Sequence, residues 1–140
     1  MVMQNTVLVA EDNDFVRMQI VSFLREVGCD VLEASEGRSA LRQMATSKVN
    51  LAIVDVRMEP MGGFEFIKTL RQGDDKTPVI LVTGDQSSDL LEQAGHWKVA
   101  AVLMKPVQKD RLLTMVGRIL DLGRDDDVEE AAQEPDGGDT

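Results

Sequence analysis

Four short segments of the chain end in side chains that can do chemistry together: Glu11-Asp12, Asp55, Thr83 and Lys105. Each closes a brief apolar run, Val9-Ala10, Ile53-Val54, Leu81-Val82 and Leu103-Met104 respectively. In chain order they supply a carboxylate pair, a single carboxylate, a hydroxyl and an ammonium. Mg²⁺ takes octahedral oxygen ligands, keeps several waters and uses one or two carboxylates. Asp12 and Asp55 suit direct ligands, Glu11 can orient a coordinated water, and the main-chain carbonyl of Arg57 can complete the set; Mn²⁺ accepts the same donors. Three neighbouring carboxylates repel one another and raise at least one pKa, which a divalent cation relieves. A carboxylate such as Asp55 can attack phosphorus. Phosphoryl transfer asks the protein mainly for positioning and charge stabilisation. The metal and Lys105 can each hold one phosphoryl oxygen, and the Thr83 hydroxyl and the Val56 and Gly84 N–H groups can take the rest. Gly84 lets the backbone come close, and Pro106 sets the chain direction after Lys105, with a peptide geometry that the sequence leaves open.

These residues meet only if the runs that carry them are parallel strands of one sheet, whose carboxyl edge is where ligands bind in open α/β folds. The chain alternates short apolar runs with amphipathic helices. Strands are expected at Thr6–Ala10, Cys29–Ala34, Leu51–Asp55, Val79–Val82 and Ala100–Met104. The first helix is capped in the Asn13/Asp14 region, carries Val16, Ile20, Phe23, Leu24 and Val27 at helical spacing, and ends at Gly28 in the C′ position. Further helices are expected over Glu36–Ser47, Phe64–Gln72, from near Asp85 to between Ala94 and Trp97, and over Gln108–Leu120. This (βα)₅ alternation implies a parallel sheet with helices on both faces. The domain is expected to span residues 5–121.

The 140 residues suit one domain with a proper core, and 43% hydrophobic with 29% charged residues points to a soluble globular chain. There is no membrane-length apolar stretch and no signal-peptide pattern at Met1-Val2-Met3-Gln4-Asn5. A single cysteine excludes an internal disulfide framework. The expected location is the cytoplasm. The net charge of -10 is uneven: residues 123–140 hold eight acidic residues and one Arg, leaving -3 for residues 1–122. No basic nucleic-acid footprint exists. Residues 122–140 are expected to form a disordered acidic tail, either solubilising or an interaction or autoinhibitory segment.

Taken singly, each motif has a plainer meaning. Glu11-Asp12 can cap a helix, Asp55 can be a polar strand end, Gly62-Gly63 a turn, Thr83 a cap and Lys105 a surface residue. Their order at the same end of consecutive α/β units is what is specific. With Val9-Ala10-Glu11-Asp12, Val54-Asp55-Val56-Arg57-Met58, Met61-Gly62-Gly63, Val82-Thr83-Gly84 and Met104-Lys105-Pro106 in that order, residues 5–121 resemble the receiver domain of two-component response regulators. The resemblance implies a flavodoxin-like fold of strand order 2-1-3-4-5. It also implies Mg²⁺-dependent phosphoryl transfer from a kinase or phosphotransfer-protein histidine to Asp55. Glu11 and Asp12 then form the acidic metal pocket, Thr83 is the switch hydroxyl and Lys105 the phosphate cation.

The chain departs from that pattern at Met58-Glu59-Pro60, at Gly62, and at Val102, where the family usually carries an aromatic ring that moves with the threonine. Arg57 and Asp85, two positions beyond Asp55 and Thr83, are expected to pair over the site, either tuning acyl-phosphate lifetime or forming an exposed ion pair worth at most ~1 kcal/mol. His96, alone in a loop beside Trp97, excludes a His-rich metal site and a Ser-His-Asp triad, and Cys29 suits packing. The expected function is a stand-alone receiver, monomeric or weakly dimeric. It would signal by phosphorylation-dependent protein binding or pass phosphate along as a sink or relay, and would not be an enzyme. A metal-dependent phosphatase with an aspartyl-phosphate intermediate commonly has a second acid two residues after its nucleophile; here that residue is Arg57. A receiver that binds without phosphorylation fits less well with the retained Glu11, Asp12, Asp55, Thr83 and Lys105.

Overall fold

The apolar runs become five parallel strands, β1 (Thr6–Ala10), β2 (Asp30–Ala34), β3 (Leu51–Asp55), β4 (Val79–Thr83) and β5 (Ala101–Met104). They alternate with helices α1 (Asp14–Glu26), α2 (Gly37–Thr46), α3 (Gly63–Gln72), α4 (Ser88–His96) and α5 (Lys109–Leu120). The structure, a computed structural model, describes residues 5–85 and 87–120. The expected acidic tail at 122–140 lies outside them. The sheet order is β2-β1-β3-β4-β5, all parallel, as expected.

Strand side chains alternate between two apolar layers, as a pleated strand covered on both faces requires. Val7, Val9, Ile53, Ile80 and Val82 pack with Ile20 and Leu24 of α1 and with Leu112 and Val116 of α5. Leu8, Ala10, Ala52, Val54 and Leu81 face the opposite layer, with Ala40 of α2, Phe66, Ile67 and Leu70 of α3 and Ala94 of α4. No described helix is long and apolar enough to cross a membrane.

Helix starts follow side-chain caps. Asn13 accepts from the Val16 N–H, Glu36 from Arg38 and Ser39, and Ser87 from Leu90. Each satisfies an N–H that has no partner inside its helix. Gly28 follows α1 with φ +86°, the left-handed conformation expected at C′.

Several boundaries differ from the sequence reading for local reasons. The Cys29 N–H bonds back to the Leu24 carbonyl, so this buried thiol still belongs to the turn and β2 begins at Asp30. The fourth helix starts at Ser88 rather than near Asp85, because Asp85 closes its own turn on Thr83 and Ser87 is the cap. Its end at His96 falls within the expected range, and it places His96 in the last helical position rather than in a loop. The His96 ring meets Trp97 edge-on, with ring centres 4.6 Å apart.

Candidate acidic phosphoryl-transfer site

Strand register brings the chemistry to one edge. Ala10 pairs with Val54, Asp55 with Val82, and Thr83 with Met104. Glu11, Asp55, Thr83 and Lys105 therefore each stand within one residue of the last paired position of β1, β3, β4 and β5. Backbone bonds continue past those ends: Glu11 N–H to Ala34 O at 3.0 Å and Lys105 N–H to Thr83 O at 2.8 Å. The Glu59–Pro60 and Lys105–Pro106 peptide bonds are both cis, which fixes a detail at Pro106 that composition could not.

Asp55 is 4% exposed and Glu11 1% exposed, while Asp12 faces solvent. Each of the three offers a carboxylate oxygen, and these oxygens all lie within 4.8 Å of one another. Lys105 Nζ stands 3.3 Å from Asp55 Oδ2 and 3.4 Å from Glu11 Oε1. Glu11 Oε2 accepts from the Asn13 N–H at 3.1 Å, but Glu11 Oε1 is buried without a hydrogen-bond partner. At 3.4 Å the ammonium neutralises charge there without making a good hydrogen bond. An orphaned, inward carboxylate oxygen beside two further carboxylates is the donor set a hard divalent cation needs, so these residues fit Mg²⁺.

The electrostatics agree. Burial pushes the Glu11 carboxyl up to about 7; the Asn13 N–H opposes the shift, neighbouring Asp55 adds to it, and Lys105 opposes it. Burial disfavours the Lys105 ammonium, but Asp55 and then Glu11 more than offset it, and its pKa lies above the ordinary value. Lys105 therefore stays cationic beside Asp55 at neutral pH.

Thr83 is 1% exposed. Its hydroxyl accepts from the Asp85 N–H at 2.9 Å and donates to the Asp85 carbonyl at 3.2 Å. It is thus held by the loop that it would have to leave to reach a group on Asp55. Gly84 is exposed, and a Cβ there would meet no atom within 4 Å, so its backbone is approachable. The expected Val56 donor is not free: its N–H bonds to Val82 O at 3.1 Å, because the β3–β4 ladder runs one residue past Asp55. Arg57 Nη2 lies 3.5 Å from Asp85 Oδ2, the pairing expected from their positions, with the arginine side chain 80% exposed. Val102 is half-buried and lines a groove of about 310 Å³ with Leu91 and Lys105.

Two supports were not read from the sequence. Arg17 donates to the Glu11 carbonyl at 2.7 Å and also binds Asp14 and Glu33, tying the acidic pocket to α1 and β2. A Cβ on Gly63 would lie 2.4 Å from the Asp55 carbonyl oxygen, so α3 starts directly against the backbone of that aspartate. The Gly62-Gly63 pair hinted at a turn, but only the fold shows what approaches it.

A flavodoxin-like five-stranded sheet with an acidic cluster, a hydroxyl and a lysine at its carboxyl edge defines the class. The chain belongs to the response regulator receiver domain family, whose match covers residues 7–117. It is 32% identical over 108 residues to a response regulator receiver protein of Anaeromyxobacter sp. (strain Fw109-5), covering 77% of this chain and 45% of that protein. It is 28% identical to the CAI-1 autoinducer sensor kinase/phosphatase CqsS of Vibrio cholerae, covering 81% of this chain and 17% of that protein. The chain thus spans less than half of either curated relative. Among solved structures it is similar to chemotaxis protein CheY4 of Vibrio cholerae, with TM-score 0.79, 28% identity, and 84% and 99% of the two chains covered. It is also similar to the receiver domain of a Luxo repressor protein from Vibrio parahaemolyticus, with TM-score 0.81, 26% identity, and 95% and 100% covered.

Proposed function

We propose that Asp55 accepts a phosphoryl group from the phosphohistidine of a sensor kinase or phosphotransfer protein, and that the modified chain signals by binding a protein partner. The observation that carries this reading is a buried carboxylate on a strand end, 3.3 Å from an ammonium and beside an orphaned acidic oxygen. An Asp55 oxygen forms the new O–P bond as the P–N bond breaks, and the departing imidazole takes up a proton. Lys105 neutralises one phosphoryl oxygen. Gly84 offers a backbone N–H, and the Thr83 hydroxyl exchanges its Asp85 partners for another. Glu11, Asp12, Asp55 and the Arg57 main-chain carbonyl would hold Mg²⁺, which when bound neutralises charge on the phosphoryl group.

The domain takes the phosphoryl group onto its own Asp55 rather than passing it to a small-molecule acceptor, in a cytoplasmic, monomeric or weakly dimeric chain. Because Val102 lacks a ring, movement of Thr83 is transmitted through the Thr83–Asp85 loop and α4 rather than through an aromatic on β5.

Incubation with Mg²⁺ and acetyl phosphate tests the chemistry. Intact mass gains one phosphoryl group, and both chelation and Asp55→Asn remove the gain. No adduct from acetyl phosphate or any histidine-phosphorylated donor would overturn the proposal.

A further inference from the structure

Arg17 joins three elements around the acidic turn. Its Nη1 donates to the Glu11 carbonyl at 2.7 Å, its Nη2 to Asp14 Oδ1 at 2.7 Å and its Nε to Glu33 Oε1 at 3.1 Å. The first contact lies just past the end of β1, the second in the first turn of α1 and the third on β2. The Arg17 side chain is only 18% exposed. A 2.7 Å bond from an ionised donor is in the short, charge-assisted range. It holds the Glu11 carbonyl although strand pairing stops at Ala10.

That carbonyl belongs to the peptide that joins Glu11 to Asp12. On the other side of Glu11, its N–H bonds to Ala34 O at 3.0 Å. Both backbone groups of Glu11 are therefore anchored to β2, one directly and one through Arg17 to Glu33, the neighbour of Ala34. The consequence is largest for Asp12. Its side chain faces solvent, so packing does not place it; the orientation of the Glu11–Asp12 peptide does. The approach of the Glu11, Asp12 and Asp55 oxygens to within 4.8 Å of one another depends on that peptide.

We propose that Arg17 is a positioning residue of the metal pocket: its guanidinium fork, braced by Glu33 and Asp14, fixes the Glu11–Asp12 peptide in the orientation that binds a divalent cation. The inference rests on the proposed use of this pocket for Mg²⁺. Three nitrogens in a rigid plane serve three elements at once, which the single nitrogen of a lysine cannot do. The proposal also fixes a sign. As a charge alone, Arg17 repels Mg²⁺; its removal would leave Asp14 and Glu33 unneutralised and tighten metal binding. As a positioning residue, its removal weakens binding. Partners that orient metal ligands commonly govern affinity by about 10–100-fold.

The test is a Mg²⁺ titration of the full chain, followed by the amide shifts of Asp12 and Val56 and needing no phosphodonor. Arg17→Ala and Arg17→Lys should each raise the dissociation constant about tenfold, although the first loses the cation and the second keeps it. A second readout needs no metal. The Asn13 N–H bonds to Glu11 Oε2 at 3.1 Å, and in chelator its hydrogen exchange should quicken severalfold in both variants. Glu33→Ala removes only the far anchor, at a side chain 44% exposed, so the fold survives; it should quicken Asn13 exchange and weaken Mg²⁺ binding by less than Arg17→Lys. Tighter or unchanged binding in Arg17→Ala, wild-type affinity in Arg17→Lys, or Asn13 exchange unmoved by all three substitutions would overturn the proposal while leaving the pocket's use for Mg²⁺ standing. Absence of any Mg²⁺-dependent shift in the unsubstituted chain would overturn that use, and this inference with it.

Discussion

Glu11 is a carboxylic acid buried at 1% exposure. Its carboxyl titrates at about 7 in the fold against an ordinary value of 4.5. Between those values the folded chain holds a proton that the unfolded chain has lost, so stability falls as pH rises through that window. In the presence of a chelator, the melting temperature should therefore decrease from pH 4.5 to pH 7, and saturating Mg²⁺ should reverse the loss at pH 7. A chelated protein whose melting temperature rises through this window would contradict the assigned environment. Arg57 and Asp85 are a different case, exposed and 3.5 Å apart. Arg57→Ala or Asp85→Ala should change stability by less than about 1 kcal/mol, yet each should alter the half-life of the acyl phosphate severalfold by opening the approach for water. An unchanged half-life would reduce the pair to surface decoration. Both residues were legible in the sequence because each sits a fixed step past a strand end. Arg17 was not, since its role depends on Glu33, which only β1–β2 pairing brings beside it. Nor was the engagement of the Val56 N–H, which depends on how far the β3–β4 ladder runs.

At the scale of elements, all five strands and all five helices were legible from apolar periodicity and turn residues, and disagreements were confined to ends. Ends are decided by single hydrogen bonds, such as Cys29 N–H to Leu24 O or Leu90 N–H to Ser87 Oγ, which periodicity does not encode. Two glycines separate close approach from mere permissiveness. Gly63→Ala places a methyl 2.4 Å from the Asp55 carbonyl, so α3 or the β3 end must shift; the expected loss is about 1–3 kcal/mol, together with slower phosphorylation. Gly95, in α4, has nothing within 4 Å of its added Cβ, and Gly95→Ala should stabilise by about 0.5–1 kcal/mol. Denaturant titration of both variants checks the contrast, and a neutral Gly63→Ala would show that the helix start is not pressed against the phosphoacceptor backbone.

Across the whole molecule, two apolar layers hold one sheet edge rigid enough to keep three carboxylates and an ammonium together. Phe66, fully buried on the α3 side, anchors one layer. Phe66→Ala should cost about 3–5 kcal/mol, read as a lower denaturation midpoint. The family and its order of site residues were legible in the sequence: the (βα)₅ alternation implies the parallel sheet, the family resemblance implies the strand order, and the site follows from which residues end the strands. What the sequence could not reveal was the competition for each donor, such as the Thr83 hydroxyl held by Asp85 and the orphaned Glu11 oxygen. The central claim is that Asp55 is the atom-level acceptor. Borohydride reduction of the acetyl-phosphate-treated protein converts an aspartyl phosphate to homoserine, and peptide mapping locates it. Homoserine at position 55 alone, formed only with Mg²⁺ present, is the predicted result; homoserine at Asp12, Glu11 reduced in its place, or reduction at any other carboxylate would contradict it.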